Sequence, residues 1–172
     1  MASFSDGKAE VCEWIRNNFP KGSTCLDVGA CDGIWYDLLG DYLQMDACEI
    51  FEPNIQHNQL RDKYNFVFSG DIYDYWYGRN KYDLIIFGDV IEHMSVVKAQ
   101  QVLEYARSRC KDMIVSVPYL YPQGELYGNK YERHIQSELT EEIFRIRYKN
   151  FKILFKPNDH YCYWHSPQST GI

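Results

Sequence analysis

The sequence predicts an α/β fold: a doubly wound, mostly parallel sheet with one antiparallel strand in a C-terminal hairpin. Three observations lead there. Short apolar runs alternate with stretches of helical spacing. Acids and glycines fall where the predicted strands end. Tyr82–Phe87 is a nearly continuous apolar run, as in strands buried on both faces of a parallel sheet.

The first helix is predicted over Glu10–Asn18, because Val11, Trp14, Ile15 and Phe19 share one helical face and Pro20-Lys21-Gly22 stops it. Cys25–Val28 reads as the first strand and Ile34–Leu43 as the next helix. Asp46–Phe51 reads as the second strand, ending in Glu52-Pro53-Asn54, and Ile55–Asp62 as a helix. Asn65–Ser69 is the third strand, followed by Gly70-Asp71. Tyr82–Phe87 is the fourth strand, Ser95–Arg107 a helix, and Asp112–Val117 the fifth strand, stopped by Pro118. Pro118–Ser137 has no clear period; loops this long in compact domains are usually lids or binding loops. Glu138–Tyr148 is a helix. Phe151–Lys156 and Tyr161–Trp164 flank Pro157-Asn158-Asp159 as a closing hairpin.

The 172 residues suit one domain, expected over 1–172. With 15 Tyr, 9 Phe and 4 Trp the chain is rich in aromatics, which suits a large aromatic core before a sticky pocket. A formal charge of −6 argues against a broad nucleic-acid footprint, which needs a basic face. None of the six cysteines forms a C-x-x-C pair, so neither a zinc ribbon nor a thioredoxin motif is visible. A short polar start without a signal-peptide pattern, and no apolar run able to span a bilayer, lead to the expectation of a reducing, cytoplasmic compartment. Oligomeric state is not legible.

The most informative stretch is Thr24–Gly33, where an apolar strand runs into Asp27 and a turn with two glycines. A dinucleotide fingerprint starting at Gly29 would need glycine at Cys31 and Ile34. Both are absent, which disfavours a nicotinamide-dependent oxidoreductase and suits a nucleoside without phosphates. Asp27, Gly29, Glu52, Asp71, Gly88, Asp89 and Pro118 all fall at predicted strand ends. They therefore converge on the crevice where open α/β sheets bind ligands.

Leu26–Gly33, Phe51-Glu52-Pro53, Gly70-Asp71-Ile72, Tyr82–Met94 and Ser116-Val117-Pro118, in that order and spacing, resemble the motifs of class I S-adenosylmethionine-dependent methyltransferases. The resemblance covers nearly the whole chain and implies a Rossmann-like methyltransferase fold. It also implies S-adenosylmethionine as cofactor and methyl transfer to an acceptor expected to be a small molecule or sugar. It gives Glu52 the ribose hydroxyls, and Asp71 with the Ile72 amide the adenine. The turn Gly29-Ala30-Cys31 with Gly33 passes under the methionine part. Asp27 orients that turn or the ammonium group, and Gly88 gives close backbone approach. Cys31 departs from the pattern, which often has glycine there. A catalytically silent module that kept the fold is the rival from another class.

A hydroxyl acceptor needs a proton acceptor, and His134 and His93 are the candidates. Asp89, Glu92, His93 and His134 are also similar to a set that holds a divalent metal in small-RNA 2′-O-methyltransferases. Asp-Val-Ile-Glu-His is equally at home in metal-free relatives, and the acidic chain disfavours RNA, so no metal is expected.

Overall fold

The computed structural model describes residues 5–75 and 81–167; the rest of the expected 1–172 domain lies outside the described residues. Among the described residues, seven strands form one sheet in the order β3-β2-β1-β4-β5-β7-β6. They are β1 Thr24–Val28, β2 Gln44–Glu49, β3 Phe66–Ser69, β4 Tyr82–Gly88, β5 Cys110–Pro118, β6 Lys152–Asn158 and β7 Tyr161–Pro167. The β1–β5 pairs are parallel, while β7 runs antiparallel to both β5 and β6. The strand order reverses beside β1, between β1 and β4, where open α/β sheets leave a crevice.

Strand β4 explains why the sheet is covered on both sides. Successive side chains point to opposite faces. Leu84 and Ile86 join one core with Val11, Ile15, Trp35 and Leu39. Ile85 and Phe87 join the other with Val102, Leu103, Phe144 and Trp164. The first core lies under α1 (Lys8–Asn18) and α2 (Ile34–Leu39), the second under α6 (Val96–Arg107) and α7 (Glu141–Arg147). Among the described residues no helix is long and apolar enough to cross a membrane.

Several boundaries differ from the expected ones, each for a local reason. Helix α1 starts two residues early, at Lys8, after Gly7 with φ 82°. Helix α2 stops at Leu39, before Gly40, instead of running to Leu43. The helix expected over Ile55–Asp62 is two short ones, α3 (Glu52–His57) and α4 (Leu60–Lys63), because Gln59 takes a left-handed conformation at φ 52°. A further turn of helix, α5 (Ile72–Tyr75), follows Asp71. Helix α7 is shorter than Glu138–Tyr148 because the Thr140 side chain caps it, accepting from the Ile143 amide at 3.1 Å.

The hairpin is fastened by aromatic packing. Phe144 of α7 stacks on Trp164 of β7 with centroids 4.2 Å apart and planes 8° off parallel, and Phe151 packs edge-on at 5.6 Å. Phe144→Ala is expected to cost about 3–5 kcal/mol of stability by cavity formation. Urea unfolding monitored by tryptophan fluorescence checks this, and a loss under about 1 kcal/mol would contradict the packing role.

Candidate functional site

The carboxyl ends of β1, β2 and β4 open into a deep cavity, and the segment after β5 folds over it. Gly29, Ala30 and Cys31 line one wall, and Gly29 requires glycine on two counts. Its φ is +72°, and a Cβ there would stand 2.6 Å from Val90 Cγ2. Cys31 is also left-handed at φ 48°, which is why glycine suits this position. Its amide donates to Glu49 Oε2 at 2.8 Å and its carbonyl accepts from Asn58 Nδ2 at 2.8 Å.

Glu49 is a cavity-lining acid that the sequence reading did not single out. It ends β2, is only 4% exposed, and lines the cavity. Its other oxygen accepts from the Phe51 amide at 2.8 Å. Burial pushes its pKa up, against the pull of these two backbone donors. Glu52 corrects the expectation. Its side chain is 40% exposed, pairs with Arg61 at 3.0 Å, accepts from Ser69 Oγ at 2.5 Å, and lies outside the cavity lining. Arg61, with Ser69, holds its carboxyl down at about 2. The usable signal was Pro53. Proline is at home in the first turn of a helix, so Glu52 belongs to α3 and the strand-end acid lies upstream.

The other expected residues divide. Asp71, Ile72 and Gly88 line the cavity. Asp71 accepts from the Tyr73 amide at 3.0 Å and pairs with the Lys98 ammonium. Gly88 makes room for a side chain: a Cβ there would stand 2.5 Å from Trp35 Nε1. Gly33 lies outside the lining; it precedes α2 with φ 81°, and its expected contact is replaced by a turn requirement. Asp27 also lies outside the lining, wholly buried beneath the turn, where Tyr64 Oη donates to Oδ2 at 2.5 Å and Oδ1 has no hydrogen-bond partner. Burial pushes its carboxyl up to about 7, with Tyr64 opposing.

His93 and His134 both line the cavity, with ring centroids 4.7 Å apart. Nδ1 of His93 lies 3.2 Å from the Arg133 carbonyl, and Nδ1 of His134 lies 2.6 Å from that of Tyr121. A carbonyl only accepts, so both Nδ1 atoms carry the proton and both Nε2 atoms are lone pairs. Burial lowers the pKa of each, in His93 with help from His134. Glu92 is buried with both oxygens unpartnered, and its carboxyl is pushed well up by burial. Ligand atoms of Glu92, His93 and His134 lie within 4.8 Å of one another, close enough to serve one ion, where no metal was expected.

The segment over the cavity is held by its own bonds. The Glu92 carbonyl accepts from the Ile135 and Gln136 amides at 2.8 and 3.0 Å. Buried Gln136 donates through Nε2 to the Ile91 carbonyl at 2.7 Å. These bonds keep Tyr121, Tyr131 and His134 over the opening.

Residues 4–169 match the family model described as a methyltransferase domain, and the chain belongs to that family. No curated protein matches the sequence significantly. Solved structures share the fold at low identity. The N-terminal domain of EvdMO1 with SAH bound superposes with TM-score 0.70 at 13% identity, over 96% of this chain and 82% of that one. The DhpI–SAH complex gives 0.71 at 15%, over 94% and 85%. Magnesium protoporphyrin IX methyltransferase (ChlM) from Synechocystis PCC 6803 with bound SAH gives 0.64 at 17%, over 94% and 81%. The Rossmann-like methyltransferase architecture expected from the motifs is therefore the one observed.

Asp27 makes stability depend on pH with a defined sign. Between the unfolded carboxyl value of about 4 and the folded value of about 7, the folded chain keeps a proton that the unfolded chain has lost. Asp27 therefore makes stability fall as pH rises through that window, by up to about 1.4 kcal/mol per pH unit. Asp27→Asn is expected to remove this share of the slope, read from urea midpoints between pH 4 and 8. A variant slope equal to wild type would contradict it.

Proposed function

We propose that the chain transfers a methyl group from S-adenosylmethionine to a small-molecule or sugar acceptor. The observation that carries this reading is Glu49, a buried carboxylate at the end of β2 facing the cavity beside the glycine turn. Two of its lone-pair positions are taken by backbone donors, and a carboxylate has about four. The Asn54 side chain is a further partner, and the acceptor capacity that remains serves the hydroxyls of a ribose, the role first expected of Glu52. Asp71 accepts from the adenine amino group beside the Ile72 amide, and the Lys98 ammonium fixes the Asp71 carboxylate. The Gly29–Cys31 backbone passes under the methionine part. The residues fit the cofactor on a structural ground, since the cavity is bordered by buried polar atoms that lack partners.

Bound adenosylmethionine supplies a methyl group already activated on a sulfonium. The chain contributes orientation, exclusion of water and removal of a proton. Good orientation alone is worth on the order of 7–11 kcal/mol. The covering segment, tied to the Glu92 carbonyl, keeps water out. His134 takes the acceptor's proton at Nε2, which its Tyr121 contact leaves bare, and His93 holds the acceptor beside it. The acidic chain and the enclosed cavity favour a small acceptor over RNA.

S-adenosylhomocysteine is expected to raise the melting temperature of the wild type. Glu49→Gln should remove most of that shift and Glu52→Gln should leave it intact. Equal behaviour of the two variants would count against the ribose assignment. The reaction is tested by homocysteine-form release across a panel of hydroxylated small molecules and sugars; release with none of them would favour the silent module. Manganese titration separates the roles of the histidine wall. Saturable heat that disappears in His134→Ala would assign the wall to a cation, and absence of heat supports proton transfer.

A further inference from the structure

Methyl transfer leaves one buried acid without a task. Glu92 lines the cavity at 1% exposure, and neither of its carboxyl oxygens has a hydrogen-bond partner. It belongs to a short 3-10 turn, Ile91–His93, and its carbonyl accepts from the Ile135 and Gln136 amides of the covering segment. The backbone is therefore fixed, while the carboxyl is left unsatisfied. A carboxyl buried without donors is costly, so it marks a donor that a ligand must bring.

The surroundings make that donor a cation. Among the described residues the lining holds six acids, Asp32, Glu49, Asp71, Asp89, Glu92 and Glu132, against one lysine, Lys98, and no arginine. Lys98 is committed to Asp71, away from Glu92. Asp89, one residue past β4, is held by Tyr161 Oη, which donates to its Oδ1 at 2.5 Å, and by Ser116 Oγ at 3.2 Å. Burial first, and then the charge of Asp89, push the Glu92 carboxyl up, and Glu132 adds to it. A positive group beside Glu92 relieves both effects at once. Tyr121 and Tyr131 line the cavity with the two imidazoles, and aromatic faces attract an organic ammonium.

The spacing ties this charge to the reacting hydroxyl. One carboxyl oxygen of Glu92 and one nitrogen of His134 lie within 4.8 Å of each other. Hydrogen bonds run about 2.7–3.2 Å, so an amino group and a hydroxyl on neighbouring carbons reach both. We propose that Glu92 anchors an ammonium group carried by the acceptor, which makes the acceptor a vicinal amino alcohol, amino sugars included. The proposal rests on the methyl-transfer reading above and names its acceptor class. The amino group makes no covalent bond: its N–H donates to Glu92, and while protonated it has no lone pair to methylate. The neighbouring hydroxyl gives its proton to His134 Nε2. Its oxygen bonds to the methyl carbon, and the carbon–sulfur bond breaks with its electron pair left on sulfur. The ammonium also draws electrons from that oxygen, which eases loss of the proton.

The test is calorimetry on the protein saturated with S-adenosylhomocysteine at neutral pH. Glucosamine is compared with glucose and N-acetylglucosamine, and 2-aminocyclohexanol with cyclohexane-1,2-diol; within each set only the amine is charged. The amine is expected to bind about tenfold or more tightly than its neutral twin, which lacks the hydrogen bond between charged groups. Glu92→Gln should bring the amine down to the level of the twin, while S-adenosylhomocysteine affinity changes by less than about twofold. With S-adenosylmethionine instead, fragmentation mass spectrometry should find the methyl on oxygen. Equal affinity for charged and neutral members, or a preference that survives Glu92→Gln, overturns the proposal. So does a methyl on nitrogen, an absence of turnover with both amines, or a preference that needs added manganese, which would make Glu92 a metal ligand. Should Glu92→Gln fold poorly by circular dichroism, the wild-type comparison of glucosamine with N-acetylglucosamine still decides. Binding of S-adenosylhomocysteine without any amine preference sinks the acceptor class alone; if S-adenosylhomocysteine does not bind, the cofactor reading is wrong and the acceptor class falls with it.

Discussion

The site depends on one carboxylate. Glu49 ends β2, and its two oxygens reach in opposite directions, to the Cys31 amide in the turn after β1 and to the Phe51 amide before α3. The register Val28↔Cys48 puts these segments side by side, so the side chain that closes one strand also fixes the turn closing its neighbour. Cys31 sits at φ 48°, a conformation that a side chain disfavours, and the bond from its amide to Glu49 helps hold it there. This wall of the cavity is thus set by backbone tied to a buried acid, an arrangement with little freedom to drift.

Around that frame the cavity is electrically divided. Its lining contains the indole N–H of Trp35, with Lys8 behind that ring, and, apart from it, Glu92 and the bare nitrogens of His93 and His134. Each unpaired buried group costs about 1–3 kcal/mol. That cost is offset when a molecule of the opposite pattern enters. The covering segment is anchored through the Glu92 carbonyl and Gln136. The histidine wall and the covering segment are one hydrogen-bonded unit.

The helices and strands were legible in outline because their signals are local. Apolar spacing, Pro118 and the glycine turns mark them, and errors fall where a single residue departs from rule, as at left-handed Gln59 or capping Thr140. The site was legible where a motif is a backbone requirement. Gly29, Asp71, Ile72 and Gly88 all reach the cavity. The sequence pointed to Glu52 where the cavity is lined by Glu49, three residues upstream. Glu49 and Glu52 look alike in a sequence, and only strand register and the helical place of Pro53 separate them. Lys8 left no signal at all, since a lysine at a helix start reads as solvated surface.

By itself the sequence determined the alternation of elements, the absence of a pyrophosphate-binding glycine pattern and the strand ends where chemistry gathers, since all three follow from neighbouring residues. Tertiary structure alone decided which acid faces the cavity, which polar atoms are buried without partners, and that a residue of α1 stands behind Trp35. Burial and partnership belong to groups brought together from distant parts of the chain. Lys8, Asp27 and Trp35 acquire their shared environment only when the helices close over the sheet.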